Sequence, residues 1–149
     1  MRVTSADLLN LKVPGKITLA GVRENIECSL AYMSAWMGGN GCIPLNYLME
    51  DAATAEITRV QLWQWVRYTA RLDTGQPITS AFIEELIDER VPNVKKLSPG
   101  VKDEHVRVAA NYLKGQVKKD WPSEFLTSDL MAYLAAADGV ENFWLRSAL

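Results

Sequence analysis

The chain has 149 residues, 48% of them hydrophobic, which is enough for one well-buried core and excludes a largely disordered protein. The chain has 16 Lys and Arg residues and 18 Asp and Glu residues, which gives a net charge of -2. No basic block stands out, so nucleic acid is not an expected partner. No apolar run reaches the ~18 residues that a membrane helix requires. We therefore expect a soluble intracellular protein.

Two helices are predicted in the first half of the chain. Thr18 can cap the first, whose apolar residues recur every three or four positions from Leu19 to Met37 before a glycine-rich loop at 38–44. The second runs from Ala53 to about Leu72. Its apolar residues cover more than one narrow stripe, which predicts a largely buried, central helix.

Three more helices are predicted in the second half. Thr79 or Ser80 caps the third, which Pro92 ends. Ser98-Pro99 opens the fourth, and Pro122-Ser123 opens a fifth that runs to about Ala137, with a short sixth segment possible beyond it. No alternating pattern predicts a strand. The expected fold is an all-α bundle of about five helices, forming a single domain over residues 1–149.

The candidate catalytic residues are Glu50 and Asp51, two adjacent carboxylates directly before the second helix. Asp in this position most often caps a helix by accepting hydrogen bonds from first-turn amides. The cap and a general base are compatible roles, because a helix N-terminus favours the ionised carboxylate that a base requires. Glu50 could serve instead, and the sequence does not rank the two.

Other reactive residue types give weaker signals. His105 is the only histidine and follows Asp103-Glu104 in the predicted first turn of the fourth helix, so we expect it to be solvated. Cys28 and Cys42 are expected to be reduced, partly buried thiols, since two cysteines without ligands at metal-binding spacing suggest neither disulfides nor zinc. No metal site and no cofactor-binding residue can be named from the pattern.

One longer stretch carries a family resemblance. It reads W-M-G-G-N-G-C-I-P at 36–44, L-M-E-D-A-A-T-A-E-I-T-R at 48–59 and Q-L-W-Q-W at 61–65. These motifs closely resemble the C-terminal domain of malate synthase. The resemblance extends upstream to 3–9 and 15–18 and, more loosely, downstream to 109–112 and 125–127, so it covers nearly the whole chain.

The resemblance implies a helical domain that closes over the mouth of a (β/α)8 barrel. In that family the M-E-D motif supplies an aspartate that removes a proton from the methyl group of acetyl-CoA, and by position that base is Asp51. The enolate attacks glyoxylate, polarised by Mg²⁺ and an arginine, and hydrolysis of the thioester gives malate. Mg²⁺ and acetyl-CoA are thus implied only when a barrel is present.

A barrel of this kind takes ~250 residues, so the chain does not contain one. A carboxylate succeeds as base for a carbon acid only if the enolate is stabilised by preorganised donors or a metal. The chain alone is therefore not expected to make malate.

Three hypotheses remain. The chain can be a malate synthase C-terminal domain acting with a barrel, a small recruited enzyme such as an isomerase or cyclase of a secondary pathway that uses Asp51 or Glu50, or a non-catalytic protein-binding module. In each, the surface that would meet a barrel is expected to be an exposed apolar face, open or covered by self-association. The expected location is cytoplasmic or peroxisomal, although Ser147-Ala148-Leu149 at the C-terminus makes a poor peroxisomal signal.

Overall fold

The regular secondary structure of the described residues is helical apart from one short hairpin, which confirms the all-α prediction. The computed structural model describes residues 3–10 and 15–136. In chain order the elements are α1 (Ser5–Leu8), α2 (Leu19–Met37), β1 (Ile43–Leu45), β2 (Leu48–Glu50), α3 (Ala52–Arg67), α4 (Ser80–Leu97), α5 (Asp103–Lys118) and α6 (Leu126–Ala136).

The predicted helix starts at Thr18 and Thr79 are confirmed. The Thr18 hydroxyl accepts a hydrogen bond from the Gly21 amide, and the Thr79 hydroxyl accepts one from the Phe82 amide. In both cases the cap satisfies an N–H group that has no partner within the helix. Capping chemistry is local in sequence, which is why these boundaries could be predicted.

The centre of the bundle is α2, and the prediction that α3 is the central helix is wrong. Buried residues lie all around α2, which contacts α3, α4, α5, α6 and β1. In its second half it carries small side chains such as Ala31, Ser34 and Ala35 that allow close approach of its neighbours. By contrast, α3 is buried on one side only, and its apolar residue Ile57 is 64% exposed.

Three other boundaries differ from the predictions. Helix α3 ends at Arg67 rather than near Leu72, because Thr69 takes a left-handed conformation that stops it. Helices α5 and α6 begin at Asp103 and Leu126, later than the Ser98-Pro99 and Pro122-Ser123 signals suggested. In both places the proline lies in the preceding connection, several residues before the helix starts. The predicted segment after Gly139 lies outside the described residues.

Pro92 does not end its helix, as the sequence had suggested; it lies inside α4, which continues to Leu97. Proline removes the hydrogen bond to the carbonyl four residues earlier, here that of Asp88. Both residues are exposed, so water can replace the missing N–H donor. A proline on the solvent side of a helix is therefore tolerated where a buried one would not be.

The prediction that the chain has no strands was also wrong, because β1 and β2 form an antiparallel hairpin. Ile43 pairs with Glu50 and Leu45 with Leu48, and the side chains of Ile43 and Leu45 are buried. Each strand has only three residues, too few to produce a readable alternation. The hairpin does not change the fold class, but it determines where the next residue, Asp51, is placed.

Candidate functional site

The hairpin turn is tight and conformationally unusual. Asn46 and Tyr47 have positive φ angles of 50° and 66°, the combination found in two-residue turns that match the twist of the flanking strands. Asn commonly adopts this conformation, whereas a bulky residue such as tyrosine rarely does. The Tyr47 side chain is fully exposed. The turn therefore presents a fully exposed aromatic side chain four residues before Asp51.

Asp51 is the N-cap of α3, as predicted. Its Oδ1 atom accepts hydrogen bonds from the amides of Ala53 at 2.9 Å and Thr54 at 3.2 Å. Within the part of the chain that the structure describes, Oδ2 makes no hydrogen bond, and the residue is exposed. One oxygen thus holds the carboxylate in place, while the other has no hydrogen-bond partner among the described residues. This arrangement serves a cap and leaves an acceptor for an incoming proton.

Glu50 occupies a different environment from its neighbour. It ends β2, is half-buried, and its charge helps to raise the pKa of Cys28 on α2. The main cause of that increase is burial of the thiol, which brings its pKa to about 11. Glu50 is therefore close to a buried side chain of the bundle, while Asp51 is at the surface.

A buried tyrosine is affected by the charge of Asp51. Tyr32 on α2 is 1% exposed, and its pKa is raised by burial first and then by the negative charges of Asp51, Cys42 and Glu56. The sequence did not single out Tyr32, because a tyrosine at such a position on a predicted helix is typical of an ordinary core residue.

Large exposed apolar side chains lie close to Asp51 in the sequence. Tyr47, Leu48 and Met49 lie on the hairpin immediately before it, and Ile57 lies in the second turn of α3; the last three are 63%, 67% and 64% exposed. We call these four residues the apolar rim. Single exposed apolar residues are common, but several together around a charged group mark a contact surface.

Further along α3, sequence analysis missed a buried ion pair. Arg59 is 1% exposed and pairs with Glu56. It also donates hydrogen bonds to the Gln116 side chain and the Ser123 carbonyl, while Glu56 accepts one from the Leu126 amide, the first of α6. The pair therefore holds α3, α5 and the start of α6 together. Opposite charges three residues apart on a helix were the available signal, although such pairs are usually exposed.

The remaining reactive residues are distributed differently from the predictions. His105 is 7% exposed, so the expectation of a solvated histidine is wrong; its ring packs edge-on against Tyr133. The connection between α4 and α5 and helix α6 cover it. Both cysteines are free, with Cys28 buried and Cys42 exposed rather than both partly buried. Among the described residues, no three His, Cys, Asp or Glu side chains are grouped as a metal site would require.

Comparison with known proteins defines the class. Residues 16–134 match the family model described as "Malate synthase, C-terminal". The chain belongs to this family, as its motifs suggested.

Among the relatives, the glyoxysomal malate synthase of Candida tropicalis is 43% identical over 128 residues, which is 85% of this chain and 23% of that protein. A bifunctional glyoxylate cycle protein of Caenorhabditis elegans is 40% identical over 115 residues, 77% of this chain and 12% of that protein. Malate synthase A of Escherichia coli K12 is 42% identical over 87 residues, 58% of this chain and 16% of that protein.

The chain thus spans about a quarter or less of the curated relatives that it matches. Within its described residues, no helix is both long enough and apolar enough to cross a membrane.

Proposed function

We propose that the chain supplies the general base of malate synthase chemistry, and that this base is Asp51. In the reaction, a carboxylate removes a proton from the methyl group of acetyl-CoA, and the resulting enolate attacks the aldehyde carbon of glyoxylate. The observation that carries the proposal is the division of roles within one carboxylate. Oδ1 accepts hydrogen bonds from two amides of α3, while Oδ2 of this exposed residue makes no hydrogen bond among the described residues.

The surroundings favour Asp51 over Glu50 as the base. A base must come within ~3 Å of the proton that it removes, and Asp51 is exposed whereas Glu50 is half-buried beside Cys28. Asp51 lies between β2 and α3 in the chain. The two hydrogen bonds from amides of α3 orient its carboxylate, as a positioned base requires.

The apolar rim supports association with a barrel. Removing a proton from a methyl group requires a site from which water is excluded and in which donors stabilise the enolate. Asp51 on this chain is open to solvent. A barrel covering Tyr47, Leu48, Met49 and Ile57 would bury apolar surface and enclose Asp51 in the same step.

The implied Mg²⁺ does not fit the residues described. A magnesium ion requires hard oxygen ligands in octahedral arrangement, and the described residues contain no group of three or more His, Cys, Asp or Glu that could hold it. In this proposal the metal and its ligands belong to the barrel. The role of this chain is confined to Asp51 and the surface around it.

The test is malate formation from acetyl-CoA and glyoxylate, with a barrel supplied separately or fused to the chain. Asp51→Asn keeps a good helix cap but removes the base, and we expect a loss of roughly 10²–10⁴-fold in kcat. Asp120→Asn, an exposed aspartate in the α5–α6 connection, is the matched control and should retain activity. Full activity of the Asp51→Asn variant, or loss of activity only with Glu50→Gln, would contradict the proposal.

The same variants separate the two other hypotheses. A small recruited enzyme would turn over its substrate without a barrel, and Asp51→Asn would stop it with unchanged helical content. A non-catalytic module would be insensitive to Asp51→Asn but sensitive to substitutions in the apolar rim. The apolar rim favours a partner-dependent role over the independent enzyme.

A peroxisome-related location is part of the proposal, since relatives from Candida tropicalis and Brassica napus are named glyoxysomal. Ser147-Ala148-Leu149 lies outside the described residues and departs from the usual signal, because alanine occupies the basic position. Fluorescence microscopy of the chain with and without these three residues would test their contribution.

A further inference from the structure

Side-chain hydrogen bonds join α2 directly to α3 at two places. The Ser29 Oγ atom on α2 and the Thr58 Oγ1 atom on α3 are 2.8 Å apart, and Asn25 Nδ2 donates to Gln61 Oε1 at 2.6 Å. Ser29 is 0% exposed and Thr58 is 7% exposed, so the first bond is a polar contact inside a largely apolar core. We call these four residues the polar seam.

The polar seam runs along both helices and leads toward Asp51. Asn25 and Ser29 are one turn apart on α2, and their partners follow in the reverse order on α3, so the two helices are antiparallel at this contact. Thr58 comes seven residues after Asp51, which is about two turns or ~10 Å along the axis of α3. The seam therefore ends close to the start of the helix that Asp51 caps.

A short polar pair constrains a helix more strictly than its other contacts do. Apolar contacts are non-directional, so a helix can slide slightly against them at little cost, whereas a hydrogen bond weakens steeply with distance and angle. Arg59 and Glu56 also hold α3, but through long side chains with several rotatable bonds. The hydroxyls of Ser29 and Thr58 are one carbon from the backbone. Their bond therefore links the backbone of α3 closely to that of α2.

The position of α3 determines the position of the Asp51 carboxylate. Its Oδ1 atom accepts hydrogen bonds from the Ala53 and Thr54 amides of the same helix, so the carboxylate moves with the helix. A shift of α3 by one residue would displace it by ~1.5 Å. A misplacement of about 1 Å at a reacting group can lower a rate by as much as 10²-fold.

We infer that Ser29 and Thr58 are positioning residues for Asp51. Their hydrogen bond sets the register of α3 on the central helix α2 and thereby the place of the carboxylate relative to the methyl group of acetyl-CoA. The catalytic consequence rests on the proposed function, whereas the positioning itself is a property of this chain alone. Replacing both partners of a buried polar pair by apolar groups of the same shape is often nearly neutral for stability. The contribution of the pair is therefore to geometry.

The kinetic test compares two serines of α2 in the malate assay with a barrel supplied. Ser34 is also 0% exposed, but its hydroxyl donates to the Leu30 carbonyl of its own helix at 2.6 Å. We expect Ser29→Ala to lower kcat per folded chain by about tenfold without changing the KM for acetyl-CoA, and Ser34→Ala to retain kcat within about twofold. Equal kcat values in the two folded variants would overturn the inference.

Two substitutions of Thr58 separate its hydroxyl from its shape. Thr58→Val keeps the branched side chain but cannot form the hydrogen bond with Ser29, so it should lower kcat as Ser29→Ala does. Thr58→Ser keeps the hydroxyl and should retain kcat. Circular dichroism and urea denaturation of both variants confirm that each is folded in the assay. Equal losses of kcat in the two would mean that packing, and not the hydrogen bond, positions the helix, and would contradict the inference.

A further pair of measurements distinguishes a failure of this inference from a failure of the proposed base. In an Asp51→Asn background, Ser29→Ala should cause no additional loss of kcat, whereas a general structural defect would lower the rate in both backgrounds. In the isolated ¹⁵N-labelled chain, Ser29→Ala should shift the amide resonances of Ala53 and Thr54, and Ser34→Ala should not. Such shifts together with full activity of Asp51→Asn would support the positioning and reject only the base. Absence of the shifts, or an unchanged kcat in Ser29→Ala while Asp51→Asn is inactive, would overturn the inference.

Discussion

Two groups of polar residues on α3, at its N-terminus and near its middle, are organised in opposite ways. At its N-terminus, the exposed residue Asp51 uses one carboxylate oxygen for the helix cap, and the other has no hydrogen-bond partner among the described residues. One to two turns further on, Glu56 and Arg59 are bonded to each other and to α5, the α5–α6 connection and α6. A saturated network contributes to the fold, whereas a half-used carboxylate remains available for a reaction.

The difference separates stability from function on a single helix. Buried charges require partners for each of their hydrogen-bonding atoms, because an uncompensated one is costly. Exposed charges have no such requirement, since water can serve. We therefore expect substitutions in the Arg59 network to change unfolding and substitutions at Asp51 to change chemistry, and the following experiments test that separation in order of expected size.

The largest effect is expected from breaking the buried pair. Arg59→Ala removes the positive charge paired with Glu56 and the hydrogen bonds to the Gln116 side-chain oxygen and the Ser123 carbonyl, and it should lower the free energy of unfolding by about 3–5 kcal/mol. Urea denaturation followed by circular dichroism measures it. Arg67→Ala, on the exposed last turn of α3, is the control and should change stability by no more than about 0.5 kcal/mol. A small effect of Arg59→Ala would mean that the network does not hold the bundle together.

Alkaline pH should reveal the buried thiol behind the hairpin. Burial raises the pKa of Cys28 to about 11 from an ordinary 9.0, so between these values the unfolded chain loses a proton that the folded chain keeps. The stabilisation is complete below pH 9.0 and is lost as the pH rises to about 11, by roughly 3 kcal/mol for two pKa units at ~1.4 kcal/mol each. Comparing the pH dependence of unfolding in the Cys28→Ala variant isolates this contribution. Parallel pH profiles would rule it out.

The cap of α3 should give an intermediate effect. Asp51→Ala removes the acceptor of the Ala53 and Thr54 amides and is expected to lower the free energy of unfolding by about 1 kcal/mol. Asp51→Asn, which can still cap, should lower it by only a few tenths of a kcal/mol. Thermal unfolding of the two variants in parallel measures the difference. If both are equally destabilising, the charge itself and not the cap supports the helix.

The smallest effect is expected at the hairpin turn and has the opposite sign. Tyr47→Gly replaces a bulky residue of positive φ by the one that suits it, and should stabilise the isolated chain by about 0.5–1 kcal/mol. The same change removes the most exposed member of the apolar rim and should weaken association with a barrel. Denaturation and a binding assay on the same sample test both signs. A variant that binds as well as the parent chain would remove Tyr47 from the interface.

The family, the helical fold and the position of Asp51 could be predicted because they depend on local patterns. A cap, a motif and a helical period each lie within a few consecutive residues. Burial could not be predicted in the same way, since it depends on which face the rest of the chain covers. His105 follows two acidic residues and still becomes buried, and the apolar Ile57 stays exposed.

The candidate site was predicted as a residue but not as an arrangement. The local residue pattern did not rank Glu50 and Asp51, and the family resemblance alone singled out Asp51. The hairpin, too short for a strand pattern, places the two side chains in different environments. The Arg59 network joins residues more than fifty positions apart, so no local pattern could indicate it. Helix starts are thus determined by neighbours in sequence, whereas the hydrogen-bond partners of buried polar groups are determined by neighbours in space.

The burial of α2 has a consequence for how the molecule opens. Because helices on several sides cover it, its central amides should exchange with deuterium only when the whole bundle unfolds. The hairpin contacts the bundle over a small area and should exchange through local opening at much lower free energy. The segment that holds Asp51 would then sample open states while the core stays intact, so a partner could reorganise it without unfolding the bundle.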